Sequence, residues 1–156
     1  MTLRQRGVAN RERNVPHPKI EPAQARRTES GRDGGSAVLV LEDEAVIALD
    51  MCDALEDAGH DVVGPCETSA EALRLLETVS PDLAVVDVKL RDGSGLEVAR
   101  ELVRRRIPFV FYSGEPADER LAAEFPDAPT VHKPASMRAV IAALREVEPK
   151  PASMAA

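Results

Sequence analysis

Long apolar stretches and cysteine are both scarce in this chain of 156 residues. No apolar run approaches the roughly 20 residues that cross a bilayer, which argues against a membrane-spanning helix. No apolar stretch follows the arginines near the amino terminus, so we expect no secretory signal peptide and a cytoplasmic location. The two cysteines, Cys52 and Cys66, lack metal-binding spacing, and their apolar neighbours indicate small buried side chains rather than a disulfide or redox pair.

Large apolar residues are also rare in the first 36 residues, where Arg, Pro, Glu, Gly and Ser dominate without helical or strand periodicity. We therefore predict a disordered basic arm over residues 1–36, either a solvated tail, an over-extended translation start, or a contact for an acidic surface, a membrane or RNA. The arm holds eight basic and four acidic residues, whereas the remainder holds 12 basic and 23 acidic ones. This acidic remainder, with no helix-turn-helix pattern after it, predicts no DNA or membrane partner for the folded part.

Beyond the arm, short apolar runs alternate with apolar residues at helical spacing. The runs that indicate strands are Ala37–Leu41, Asp61–Val63, Leu83–Val86, Pro108–Tyr112 and Pro129–His132. A capping box at Thr68 and Glu71 begins the second helix, which we expect to run to about Val79, and Ser136 can cap the last helix. A short helix is expected around Asp118–Phe125, where Pro116 and Pro126 confine it. Strict alternation predicts an α/β fold, with a five-stranded parallel sheet and helices on both faces. The predicted domain covers residues 37–147, and a flexible tail is expected at 148–156.

Polar side chains stand where the predicted strands end. In sheets of this kind, ligands bind outside the carboxyl ends of the strands. The residues there are Glu42 and Asp43 after the first strand, Asp87 after the third, Ser113 after the fourth and Lys133 after the fifth. Each alone has an ordinary explanation, as a helix-start acid, a turn residue or a solvated lysine. Their joint placement at one edge predicts a functional site.

Three carboxylates at one edge repel one another. Two of them about 4 Å apart repel by roughly 4 kcal/mol at an effective dielectric near 20, so the cluster needs a cation. All-oxygen ligands in an open site favour Mg²⁺, and Lys133 adds a fixed positive charge. Such cations grip a phosphoryl group, for which Asp87 is the expected nucleophile because it ends a central, buried strand. Ser113 can donate a hydrogen bond to a phosphoryl oxygen.

These residues make the chain similar to the receiver domain of two-component response regulators over about residues 37–147. The resemblance implies the flavodoxin-like (βα)5 receiver fold, with Asp87 as phosphoacceptor and Ser113 as the switch hydroxyl. It also implies a Lys133-Pro134 motif with a cis peptide bond. The phosphoryl donor would be a sensor histidine kinase or a histidine phosphotransfer protein.

The resemblance further implies how the metal site is built. Asp43 and Asp87 would bind Mg²⁺, and Glu42 would act on it through water. The backbone carbonyl of Lys89, two residues past the acceptor, would complete the ligand set.

The chain looks most like single-domain alphaproteobacterial receivers whose fourth strand ends in a Phe-Ala-Thr-Gly-like motif, here Phe111-Tyr112-Ser113-Gly114. It departs from the wider family at two positions. Arg91 stands where most receivers have proline, and Thr130 stands where most have an aromatic residue that reports phosphorylation. Tyr112 either replaces that aromatic residue or simply packs at the end of its strand.

Three functions remain open at this point. The main expectation is a stand-alone receiver in a phosphorelay that is not a conventional enzyme. It would signal to an unknown downstream protein by contact, or act as a phosphate sink. The second is an interaction module that keeps the fold without phosphorylation, against which the intact acids and Lys133 argue. The third is a haloacid-dehalogenase-type phosphatase, but that family needs Asp-x-Asp where this chain has Glu42-Asp43-Glu44.

Overall fold

A computed structural model describes residues 35–116 and 118–150. The elements, in chain order, are β1 (Ala37–Leu41), α1 (Ala45–Asp57), β2 (Asp61–Cys66), α2 (Ser69–Leu76), β3 (Leu83–Val86), β4 (Lys89–Leu90), β5 (Gly93–Ser94), α3 (Leu96–Arg104), β6 (Phe109–Ser113), α4 (Glu119–Glu124), β7 (Thr130–His132) and α5 (Met137–Val147). Residues 1–34 of the predicted arm and residues 151–156 of the predicted tail lie outside the described residues, so this division of the chain stays a prediction.

Five of these strands form one parallel sheet in the order β2-β1-β3-β6-β7. The central strands are continuous apolar runs because helices cover both of their faces. Every residue of β3 is buried, as are Val38 to Leu41 of β1. The predicted α/β fold with five parallel strands is confirmed.

Alternate residues of β1 separate two hydrophobic cores, as the two-residue period of a strand requires. Leu39 and Leu41 belong to the core covered by α2 and α3. Val38 and Val40 belong to the core covered by α1 and α5. Helices therefore pack on both faces of the sheet. The carboxyl edge of the sheet is not covered by them, and the polar side chains lie there.

The helix signals are confirmed at both predicted caps. The hydroxyl of Thr68 accepts the N–H of Glu71 at 3.1 Å, and the hydroxyl of Ser136 accepts the N–H of Ala139 at 3.2 Å. The short helix expected between two prolines is α4. Phe125 follows it and packs edge-to-face against two strand phenylalanines.

The structure departs from the sequence expectations at the end of β2, at the end of α2 and in the loop after Asp87. We expected β2 to stop at Gly64, but it continues to Cys66 through a cis Gly64–Pro65 bond, because a bulge against β1 accommodates the turn. We expected α2 to run to Val79, but it ends at Leu76. The loop after Asp87 contains the hairpin β4-β5, which no alternation in so short a segment could indicate.

No helix among the described residues is long and apolar enough to cross a membrane.

Candidate functional site

Asp87 lies at the carboxyl end of β3, at the middle of the sheet edge. Its N–H donates to the carbonyl of Leu41 at 3.0 Å, which continues the pairing of β1 and β3 by one residue. Asp87 is buried, with 4% of its surface exposed. Its Oδ1 accepts the N–H of Lys89 at 3.2 Å, and its Oδ2 accepts the ammonium of Lys133 at 2.9 Å. Both oxygens are therefore held in place before any ligand arrives.

Glu42 follows β1 and is more deeply buried than Asp87, at 1% exposed. Its Oε1 accepts the N–H of Glu44 at 3.0 Å, and its Oε2 accepts the ammonium of Lys133 at 2.8 Å. Burial raises the pKa of Glu42, while the hydrogen bonds from Lys133 and Glu44 oppose that rise. With each oxygen already bonded, Glu42 is oriented mainly toward Lys133.

Lys133 bridges the two buried carboxylates from the end of β7. Burial alone would lower the pKa of Lys133, but hydrogen bonds to Glu42 and Asp87 outweigh it, and the pKa is raised. The raised pKa of Glu42 points the other way, toward a neutral carboxyl. Lys133 is nevertheless the charged partner of Glu42, because two carboxyl groups within 2.9 Å of its nitrogen favour the ammonium form. The predicted cis peptide bond at Lys133-Pro134 is confirmed.

Asp43 adds a third carboxylate beside these groups. One oxygen each from Glu42, Asp43 and Asp87 lies within 4.8 Å of the others. Three hard anionic oxygens are the donor set that Mg²⁺ and similar cations prefer. Lys133 offsets only part of this negative charge, so the residues present fit a divalent cation.

Ser113 is the last residue of β6 and is buried. Its Oγ accepts the N–H of Glu115 at 3.2 Å, and its carbonyl accepts the N–H of Lys133 at 2.8 Å. It has no hydrogen bond to Asp87 among the described residues. A Cβ on the neighbouring Gly114 would meet only the Lys133 side chain, at 3.9 Å, so the backbone beside Ser113 is open.

Thr130 leaves space beside this edge. An open groove of about 790 Å³ runs between the start of β7 and α4. It is lined by residues that include Ser113, Leu121, Thr130 and His132. The side chain of Tyr112 instead lies within the core on the α1 and α5 face, so it does not fill the space at Thr130.

Sequence reasoning missed two contacts near the site. The ring of Tyr112 lies 5.2 Å from the Lys133 ammonium, and its hydroxyl donates to the carbonyl of Ala135 at 3.2 Å. Asp92, in the loop after Asp87, accepts N–H groups from α2. The hydroxyl of a buried tyrosine needs a partner, which was a signal for the first contact. No local sequence pattern indicated the contact between Asp92 and α2.

Comparison with known proteins identifies the family. The family model for the response regulator receiver domain matches residues 38–145. The chain belongs to this family. Receiver domains of two-component systems are signalling modules rather than conventional enzymes, and they typically bind Mg²⁺ at an acidic cluster. The haloacid-dehalogenase alternative is therefore excluded.

Relatives of known name support this assignment. The phyllosphere-induced regulator PhyR of Methylorubrum extorquens is 33% identical over 124 residues, which cover 72% of this chain and 46% of PhyR. The transcriptional regulatory protein PdtaR of Mycobacterium tuberculosis is 39% identical over 70 residues, 45% of this chain and 34% of PdtaR. The chain thus spans between a third and a half of these relatives.

Solved structures agree with the fold. The crystal structure of PhyR from Brucella abortus has a TM-score of 0.64 at 34% identity and is matched over 75% of this chain and 49% of its own. SdrG from Sphingomonas melonis Fr1 has a TM-score of 0.59 at 35% identity and is matched over 74% of this chain and 99% of its own. The chemotaxis regulator CheY4 of Vibrio cholerae, at 19% identity and a TM-score of 0.65, shares the fold.

Proposed function

We propose that Asp87 accepts a phosphoryl group from a phosphohistidine on a sensor kinase or phosphotransfer protein, in a reaction that depends on Mg²⁺. In that step a carboxylate oxygen of Asp87 forms the new P–O bond and the P–N bond of the donor breaks. The electron pair returns to the histidine nitrogen, which takes up a proton. The chain would then carry the signal as an acyl phosphate.

The observation that carries this proposal is the Lys133 ammonium, which bridges Glu42 at 2.8 Å and Asp87 at 2.9 Å. A lysine in that position holds the Asp87 carboxylate in one orientation. It also lies where a cation can pair with the oxygens of an arriving phosphoryl group, whose negative charge dominates the transition state.

The metal would be held by Asp43, Asp87 and the backbone carbonyl of Lys89. Bound Mg²⁺ would neutralise the phosphoryl oxygens and so reduce repulsion from the acids. Glu42 would act on the metal through water, because its oxygens are already bonded to Lys133 and to the N–H of Glu44. We propose that its second task is to hold Lys133 beside Asp87.

Ser113 would bind the product. Its hydroxyl is buried at the end of the neighbouring strand, and the peptide bond after it is open at Gly114. A phosphoryl group on Asp87 would offer the hydroxyl a stronger acceptor than any neutral group, since hydrogen bonds to ionised acceptors are roughly twice as strong.

The test compares two aspartate-to-asparagine variants at the two ends of β3. Wild type and Asp82→Asn should gain one phosphoryl group from acetyl phosphate with Mg²⁺, measured by intact-protein mass. Asp87→Asn should gain none, and EDTA should abolish labelling of the wild type. Asp82 is exposed at the amino end of the strand and makes the matched control. Equal labelling of Asp87→Asn would exclude the proposed acceptor.

We propose two alternative roles for the phosphorylated state. Either a downstream protein binds the phosphorylated receiver, or the chain drains phosphoryl groups from a shared kinase. Phosphotransfer profiling against the histidine kinases of the source organism would name the donor. A phosphorylated form that lasts for minutes would favour contact signalling, whereas rapid loss during kinase turnover would favour a sink.

A further inference from the structure

The loop after Asp87 is a small closed hairpin. Its pairs are Lys89 opposite Ser94 and Leu90 opposite Gly93. At its base, the N–H of Gly95 donates to the carbonyl of Val88 at 2.8 Å. Leu90 is buried and anchors one strand in the core. The tip, Arg91 and Asp92, has no proline to restrict its backbone, so its position depends on side-chain contacts.

Asp92 supplies that contact by accepting hydrogen bonds from the start of α2. Its Oδ1 accepts the N–H of Ser69 at 3.2 Å, and its Oδ2 accepts the N–H of Ala70 at 3.3 Å. The first N–H groups of a helix have no partner within the helix and carry partial positive charge, which favours a carboxylate there. The hydroxyl of Thr68 accepts the third N–H, from Glu71. One helix end is thus capped partly by its own residue and partly by the loop.

A second bond joins the same two segments. The hydroxyl of Ser69 donates to the carbonyl of Ser94 at 2.5 Å. Strand β5 is therefore held against α2 through Asp92, which precedes it, and through Ser94, its last residue. The hairpin cannot shift without breaking contacts to the helix.

The other side of the hairpin leads into the candidate metal site. The N–H of Lys89 donates to Asp87 Oδ1 at 3.2 Å, so the first paired residue of the hairpin is bonded directly to Asp87. We propose that Asp92 is a positioning residue for Mg²⁺: by fixing the hairpin tip to α2, it holds the Lys89 backbone where its carbonyl can join Asp43 and Asp87. This inference rests on the proposed metal site and assigns a task to a residue that touches no ligand.

The contact between Asp92 and α2 is important because Mg²⁺ binding is sensitive to ligand position. Mg²⁺ requires near-octahedral geometry with metal–ligand distances of about 2.0–2.1 Å. A ligand whose position varies therefore weakens Mg²⁺ binding more than it would weaken the binding of a larger cation. A backbone carbonyl on a loop is the most easily displaced of the three proposed ligands, because both carboxylates follow buried strands. The contact that limits its movement should therefore be visible in metal affinity.

The experiment is a Mg²⁺ titration of the full 156-residue chain by NMR, without a phosphoryl donor. Asp92→Ala should raise the Mg²⁺ dissociation constant roughly three- to tenfold, below the 10–100-fold loss typical of groups that bond a ligand directly. Asp92→Asn keeps an acceptor oxygen and should recover part of the affinity. Hydrogen exchange of the Lys89 amide in metal-free protein should be faster in Asp92→Ala.

Two control variants separate positioning from helix stability and from charge. Thr68→Ala removes the other cap of the same helix end and leaves the hairpin contact, so its Mg²⁺ affinity should match the wild type. Glu97→Gln removes another exposed negative charge near the same helix end and should also match. Equal weakening by Asp92→Ala and Thr68→Ala would overturn the inference, as would an Asp92→Ala variant with unchanged Mg²⁺ affinity.

The result distinguishes this inference from the proposed function. If the wild type is phosphorylated normally and Asp92→Ala binds Mg²⁺ with wild-type affinity, only the positioning role of Asp92 is overturned. If Asp92→Ala weakens Mg²⁺ binding as predicted but the wild type accepts no phosphoryl group, only the proposed role of Asp87 as phosphoacceptor is overturned. A wild type that binds no Mg²⁺ overturns both.

Discussion

The Lys133 ammonium lies 5.2 Å from the centroid of the Tyr112 ring while it bonds to Glu42 and Asp87. The tyrosine hydroxyl donates to the carbonyl of Ala135, two residues beyond Lys133. The ring and the hydroxyl thus contact the same short segment between β7 and α5. Any movement of Lys133 toward a phosphoryl group would change the surroundings of the ring.

We predict that the intrinsic fluorescence of the chain reports phosphorylation. Tyr112 is the single tyrosine and there is no tryptophan, so tyrosine emission comes from this residue alone. Emission should change when beryllofluoride or acetyl phosphate is added with Mg²⁺, because Lys133 then pairs with new oxygens. Asp87→Asn should show no change under the same conditions. Constant emission from protein shown by mass to be phosphorylated would contradict the prediction.

A related variant tests the hydroxyl of Tyr112 separately. Tyr112→Phe keeps the ring and loses the bond to Ala135, so it should lower the free energy of unfolding by about 1 kcal/mol. The measurement is urea unfolding followed by circular dichroism. No loss of stability would show that water replaces the bond.

The second prediction concerns the buried ion pair of Glu42 and Lys133. Lys133→Met leaves Glu42 buried without its cation and should cost about 3 kcal/mol of unfolding free energy. Adding Glu42→Gln should recover part of that loss, because one of the two buried carboxyl groups that lost the lysine is then neutral. Urea unfolding of both single variants and the double variant completes the cycle. Additive losses would show that the pair is not coupled.

The same pair predicts a dependence of stability on pH. Because the folded state raises the pKa of Lys133 above its ordinary 10.5, the charged lysine stabilises the fold fully below that value. The contribution is lost as the pH rises through the higher folded pKa. The stability difference between wild type and Lys133→Met should therefore shrink in alkaline solution. A difference that stays constant into strongly alkaline solution would contradict the raised pKa.

The third prediction uses two glycines at the site. A Cβ at Gly95 would lie 2.1 Å from the carbonyl oxygen of Asp87, whereas one at Gly114 would have only ordinary contact with Lys133. Gly95→Ala should cost about 2–3 kcal/mol because backbone must move. It should also slow phosphorylation of Asp87. Gly114→Ala is the matched control and should stay roughly within 0.5 kcal/mol of wild type.

The fourth prediction concerns thiol reactivity. Burial raises the pKa of Cys66 to about 12 from an ordinary 9.0, so the thiolate fraction near neutral pH falls by about a thousandfold. In a Cys52→Ser variant, native protein should react with Ellman's reagent far more slowly than the unfolded chain. Native reactivity equal to the unfolded rate would show that Cys66 is accessible.

The order of elements could be predicted from the sequence because its signals are local. Apolar runs such as Val38–Leu41 mark strands buried on both faces, and caps at Thr68 and Ser136 mark helix starts. Residues that follow parallel strands must share one edge, so Glu42, Asp43, Asp87 and Lys133 could be placed together without coordinates. The bulge and cis bond at Gly64–Pro65 were not predictable, since they depend on how β2 meets β1.

The sequence by itself therefore determined the sheet, the helices around it and the group of polar residues at its edge. Only the tertiary structure decided which atoms pair there. Lys133 is 91 residues from Glu42 and 46 from Asp87, and Asp92 is 23 residues from Ser69. No local pattern encodes such pairs. A hydrogen bond forms only when donor and acceptor atoms lie within a few tenths of an ångström of about 2.9 Å, and that placement arises only when distant segments pack together.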